Sequence, residues 1–223
     1  MSRTGWLSSV TVFGFDYPDG VEESHPVRLT GVPYIDTKIA SEQVVLQTQA
    51  AGELECTIVR PGDVYGPGSR PWSRLPVERL RRGRLMLPAG GRGKISPVYV
   101  DNLVDGVTLA AAAGSAAGQV ITITDGRAVQ TQEFFGYYAR VLGKRRVPTA
   151  PTAVVKALAG TIALASRVRG VEVEVNPRAV AYIARRGTYS IAKARRLLGY
   201  EPRVSLEEGM ARTERWLRDE GLV

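Results

Sequence analysis

Residues 32–62 read VPYIDTKIASEQVVLQTQAAGELECTIVRPG, a helix followed by a strand. Pro33 suits a first helical position, because its missing N–H is one that a helix start leaves unpaired anyway. Ile35, Ile39 and then Val44–Leu46 keep an apolar face at helical spacing, and Ala-Ala-Gly at 50–52 ends it. The run CTIVRPG, 56–62, is rich in β-branched residues and closed by Pro-Gly, which predicts a strand. The alternation continues outward. WLSSVTVFG, 6–14, reads as a short strand ending in a loop, and 15–33 as a loop rich in Asp, Pro and Gly. PVYV at 97–100 and GQVITITD at 118–125 read as further strands. Helices are expected near 74–83, over 101–114, 131–143 and 152–168, and in two closing segments around 189–200 and 206–222. Strands alternating with helices predict an α/β architecture with a largely parallel sheet.

The composition suits a soluble globular chain: 44 % of the 223 residues are hydrophobic and 23 % charged. One cysteine, Cys56, excludes an internal disulfide and a cysteine metal site, and its apolar run predicts a small buried residue. The lone His25 stands beside a proline in a polar loop, so no metal site is expected. The net charge of +8 raises the question of nucleic acid. The basic residues, however, fall in short scattered clusters such as RLRRGR at 79–84, none interleaved with aromatics, so no nucleic-acid partner is expected. The N-terminus lacks the apolar core and cleavage site of a secretory signal. The most apolar stretch, 151–168, is interrupted by Lys156 and is too short to span a membrane. The default location is the cytoplasm.

Tyr34 and Lys38 lie four apart, one turn along one helix face. An ammonium one turn from a phenol stabilises the phenolate, which makes the pair a proton-transfer device. Tyrosine and lysine also meet at this spacing by chance on any helix surface, so the pair needs company. Upstream lies SSVTVFG, with Ser9 at the end of the expected strand. Downstream lie TIVRPGDVYGPG (57–68), SPVYVDNLVDGV (96–107) and the closing segment YSIAKARRLLGYEPRVSLEEGMARTERWL (189–217).

In this order and spacing the segments resemble the extended short-chain dehydrogenase/reductase family, the NAD-dependent epimerase/dehydratase group. The resemblance covers nearly the whole chain. It implies the C-terminal part of a Rossmann-type doubly wound parallel sheet with a mostly helical substrate-binding subdomain. On that pattern residues 1–66 belong to the dinucleotide-binding domain, with a returning strand near 96–125, and 67–223 mainly to the substrate subdomain. The resemblance makes Tyr34 the general acid/base and has Lys38 assist it while holding the nicotinamide ribose. Ser9 would bond the same substrate oxygen, and Pro61, Gly62 and Val64 would lie against the nicotinamide. NAD or NADP is the implied cofactor. Members often dimerise through the helix that carries Tyr34.

A complete member also has a strand, a glycine-rich turn and a helix that receive the pyrophosphate. GPGSRP at 66–71 and GGRGK at 90–94 lack that context, so the chain is expected to be a C-terminal part with weak or no cofactor affinity alone. Where nucleotide-sugar enzymes of the family carry an Arg-Asp pair, this chain has Ile95 and Ser96. The closing segment instead resembles the 3β-hydroxysteroid dehydrogenase-like branch, which points to oxidation or reduction of a hydrophobic alcohol or ketone. Two alternatives stay open: a nucleotide-sugar epimerase or dehydratase, and a non-catalytic remnant binding an acidic partner.

Overall fold

A computed structural model describes residues 3–168 and 177–223 of the chain. Strands β1 (Arg3–Leu7), β2 (Glu55–Pro61) and β6 (Val120–Ile123) form one parallel sheet with β2 in the centre. Trp6 stands opposite Ile58 and Ile58 opposite Val120. The backbone of β2 is therefore paired on both edges, and six of its seven residues are buried. That explains its continuous apolar run, because a parallel strand covered on both faces has no side to leave polar. Alternation along β2 sends Arg60 toward α1 (Pro33–Ala50), and Thr57 and Val59 toward α3 (Val100–Ala112) and its following turn.

Two small ladders extend this core. The strands β3 (Asp63–Tyr65) and β5 (Pro97–Tyr99) pair in parallel, and β4 (Lys94–Ile95) pairs antiparallel with β7 (Val129–Gln130). A second apolar core lies where α2 (Leu75–Arg81), α4 (Thr131–Val141) and α8 (Leu206–Asp219) meet β3 and β5, around Tyr65, Phe134, Tyr138 and Leu217. The pair α5 (Thr152–Val168) and α6 (Pro177–Ile183) packs through Val155, Ala159 and Val180. Helix α7 (Ala192–Leu198) covers β6.

Several expectations need correction. The first strand stops at Leu7, and Val10–Phe13 form a 3₁₀ turn capped by Ser9. Its apolar residues are buried because the turn folds under α1, where Val10, Val12 and Phe13 meet Ile35 and Ile39. The buried face of α1 is Ile35, Ile39 and Glu42, at i, i+4 and i+7; Val44, off that line, is 62 % exposed. A glutamate takes the core position because Arg60 pairs with both its oxygens, at 2.9 and 2.7 Å. The strand expected through Val100 ends at Tyr99, where Asp125 accepts the Tyr99 N–H and caps the start of α3. Helix α6 was not expected. His25 is half-buried against the Phe13 ring, 5.9 Å between centroids, rather than a free loop residue. Cys56 is buried, as its apolar surroundings required. No helix of the described residues is long and apolar enough to cross a membrane.

Candidate active site

Tyr34 is the second residue of α1, and the start of that helix is built from its own loop. Asp36 in the first turn accepts the Thr30 N–H at 2.9 Å, a carboxylate placed where the helix dipole favours it. Arg178 on α6 donates to the Gly31 carbonyl at 2.7 Å and ties the approach to Tyr34 to the α5–α6 pair. Tyr34 itself is 56 % exposed. Lys38 follows one turn on, its Nζ 5.9 Å from the Tyr34 ring centre. That Nζ donates to the carbonyl of Leu7 at 2.8 Å, which holds the ammonium at the C-terminal end of β1.

Ser9 lies two residues beyond that carbonyl. Its Oγ accepts from the N–H and the hydroxyl of Thr11, at 3.2 and 3.0 Å, which leaves its own hydrogen for another acceptor. The structure thus joins Tyr34, Lys38 and the end of β1, while Ser9 bonds to Thr11. Beside it, Ser8 Oγ is buried with no hydrogen-bond partner among the described residues. Pro61 closes β2. Gly62 follows with its N–H on the Ile123 carbonyl. A Cβ at Gly62 would collide with the Ser96 carbonyl and Thr124, so glycine is required for the strands to approach. Val64 pairs with Val98 and packs beside the sheet core.

A cavity of about 1310 Å³ opens beside Tyr34. Thr11, Val32 and Tyr34 form one part of its lining, and α2, the segment Leu85–Pro88, α5 and α6 supply most of the rest, with Trp72 and Phe135. Phe135, Leu87, Val155, Leu158 and Ile162 make its wall chiefly apolar.

Sequence reading missed a buried network beneath this site. Asp63, next to Gly62, accepts from Tyr182 Oη at 2.6 Å, from the Ser96 N–H at 3.0 Å and from Arg185. The Arg185 guanidinium lies 3.7 Å over the Tyr182 ring. Tyr17 and Tyr189 stack alongside, their hydroxyls bonded to each other. Burial pushes the Asp63 carboxyl up and Arg185 opposes it, while burial drives Tyr182 and Tyr189 well above the usual phenol range. The signal available was the carboxylate inside RPGDVYG, but its partner lies 122 residues away.

The parallel sheet, the Tyr34–Lys38 pair at its C-terminal end and the cavity beside them define an α/β fold of the dinucleotide-binding class. Residues 2–124 match the family described as NAD dependent epimerase/dehydratase, and the chain belongs to it. It is 32 % identical to a 3-beta-hydroxysteroid dehydrogenase of Mycolicibacterium neoaurum, across 92 % of this chain and 58 % of that protein. It is also 32 % identical to a 2-alkyl-3-oxoalkanoate reductase of Stenotrophomonas maltophilia, across 81 % of this chain and 56 % of the other. Among solved structures, a dTDP-glucose 4,6-dehydratase of Streptomyces venezuelae with NAD bound superposes with a TM-score of 0.72. The two are 26 % identical, over 99 % of this chain and 63 % of the dehydratase. The chain thus spans less than two thirds of the length of these proteins.

Proposed function

We propose that the chain carries the proton-transfer residues and the substrate cavity of an NAD(P)-dependent oxidoreductase acting on the alcohol or ketone of an apolar molecule. The observation that supports this is the large, chiefly apolar cavity with Tyr34 in its lining and Lys38 one turn on. The steroid dehydrogenase and the oxoalkanoate reductase, whose names describe such substrates, support it too.

In this reading the Tyr34 hydroxyl gives a proton to the substrate oxygen on reduction and takes it back on oxidation. Ser9 donates its free hydrogen to the same oxygen. Lys38, anchored on Leu7, places a fixed positive charge where the phenolate forms. The nicotinamide cofactor, when bound, supplies or accepts the hydride. The residues present fit its ribose half: the orphaned Ser8 hydroxyl and the remaining Lys38 protons lie at the C-terminal end of β1. Open α/β sheets take their ligands there. Pro61, Gly62 and Val64 follow the central strand at the same end and are assigned to the nicotinamide face. The sequence contains no G-x-G-x-x-G turn for the pyrophosphate. The dehydratase neighbour keeps a nucleotide-sugar reading in play, but the apolar lining, with Ile95 and Ser96 where that reading expects an arginine, favours the ketone. We assign the outer face of α1, with Val44 and Leu46 exposed, to a homodimer contact.

The test compares Tyr34→Phe with the native chain in reduction of a steroid and oxoacid ketone panel, with NAD(P)H raised until the native chain turns over, since the sequence carries no glycine-rich pyrophosphate turn. The expected loss in kcat is about 10²–10⁴-fold with unchanged melting. Equal turnover by the variant sinks the assignment and leaves a binding role for the chain.

A further inference from the structure

The lining of the cavity beside Tyr34 is mixed in chemistry. Most of the lining is apolar, but it also carries arginines, of which Arg82 and Arg84 are exposed. The cluster RLRRGR, 79–84, which carries no role in the proton-transfer site, divides at the end of α2. Arg79, Arg82 and Arg84 line the cavity, while Arg81 turns away and donates to the Leu222 carbonyl at 2.8 Å. Arg178 adds a fourth guanidinium from α6. The one carboxylate among the described lining residues, Glu78, is engaged by Arg74 at 2.8 Å, a bond that holds its carboxyl below the usual range. Elsewhere on the surface Arg127, Arg195, Arg212 and Arg218 each meet a carboxylate. The guanidiniums of Arg82 and Arg84 make no hydrogen bond or salt bridge among the described residues, and the charge of Arg82 also helps hold the Glu78 carboxyl down.

A guanidinium presents a planar fork of donors that matches a carboxylate, and low-dielectric walls concentrate its field at the opening. An apolar body alone leaves these charges in water and gains nothing from them. A body that ends in an anion satisfies both parts of the cavity at once. We propose that the cavity binds an anionic amphiphile, with its apolar body in the interior reaching Tyr34 and a carboxylate-type group at Arg82 and Arg84. This rests on the reading of the cavity as the substrate site.

The experiment is a fluorescence titration of the whole chain with two probes of nearly the same aromatic body. One is the anionic anilinonaphthalene sulfonate, the other the neutral phenylnaphthylamine. The anionic probe is expected to bind about tenfold more tightly, as one charged hydrogen-bonding contact provides. Its advantage is expected to shrink as salt rises. The doubly substituted Arg82→Glu, Arg84→Glu chain is expected to lose that advantage and keep its affinity for the neutral probe. Palmitate, but not its methyl ester, should displace the anionic probe. Leu158→Trp, which adds bulk at the apolar lining, should weaken both probes and so locates them in this cavity. Equal binding of the anionic probe by the native and charge-reversed chains overturns the proposal while the cavity reading survives. Failure of both probes to bind overturns the cavity reading as well.

Discussion

Two tyrosine-containing regions of this molecule lie at the ends of neighbouring strands, β1 and β2, and behave in opposite ways. Around Asp63, Tyr182 and Arg185 nearly every polar atom has a partner, and burial displaces the titrations of the acid and the phenols. Around Tyr34 and Lys38 the groups are more open, and among the described residues the phenol makes only a long contact with the ammonium. Displaced titration is often a sign of catalysis, but ion-pair networks produce it too. Here the displaced groups brace the wall of the site, and the groups assigned to proton transfer are the ones left accessible to another molecule.

The widest gap between the two regions should appear in stability. Arg185→Met leaves the Asp63 carboxylate buried without its counter-ion and is expected to cost about 3–5 kcal/mol in urea unfolding. Adding Asp63→Leu should recover most of that loss, since a well-packed apolar pair replaces an ion pair at little cost. A full loss retained in the double variant would mean that Tyr182 and Ser96 depend on Asp63 more than Arg185 does.

Asp125 sharpens the comparison with pH. Burial pushes its carboxyl up to about 6, against the bonds from Asn102 and the Tyr99 N–H. The folded state therefore holds this proton when the unfolded chain, at about 3.9, has released it. Its contribution is most favourable below about pH 4 and is lost as pH rises through about 6. At 1.36 kcal/mol per pH unit the swing is about 3 kcal/mol. Between pH 4.5 and 7.5 the native chain should lose about 2 kcal/mol of unfolding free energy from this group, and Asp125→Asn should remove that share of the slope whatever its constant offset.

Gly62→Ala tests the strand junction between the regions. Its Cβ meets the backbone carbonyl of Ser96, so a loss of about 1–3 kcal/mol is expected from thermal melts. Lys38→Met should have the smallest structural effect, within about 0.5 kcal/mol of native stability, because the side chain is only half-buried and its contacts are the Leu7 carbonyl and a long approach to the Tyr34 ring. A large destabilisation would make Lys38 a brace like Arg185 rather than a group available to a substrate.

The legible part of this fold was its local periodicity. Strand β2, helix α4 and the alanine-rich α5 follow from β-branched runs and apolar spacing within a single element, and Tyr34–Lys38 from a one-turn interval. What escaped reading depends on distant partners. Glu42 looks like a surface residue until Arg60 arrives from β2. Asp63 looks like a turn residue until Arg185 does. Helix α6 is only seven residues long and carries one buried residue, Val180, too little for a helical pattern to stand out. Val10–Phe13 has the composition of a strand, and only the packing under α1 turns it into 3₁₀.

The central position of β2 also sets a timetable for synthesis. Its partner on one edge, β1, precedes it, but its partner on the other is β6, with Ile58 opposite Val120. A ribosome adding about 5–20 residues per second leaves that edge without its neighbour for about 3–12 seconds. During that interval an apolar strand waits with one row of backbone groups unmatched. The nascent chain is therefore a natural client for whatever shields such strands at the exit tunnel, and its yield should depend on translation speed between residues 61 and 120.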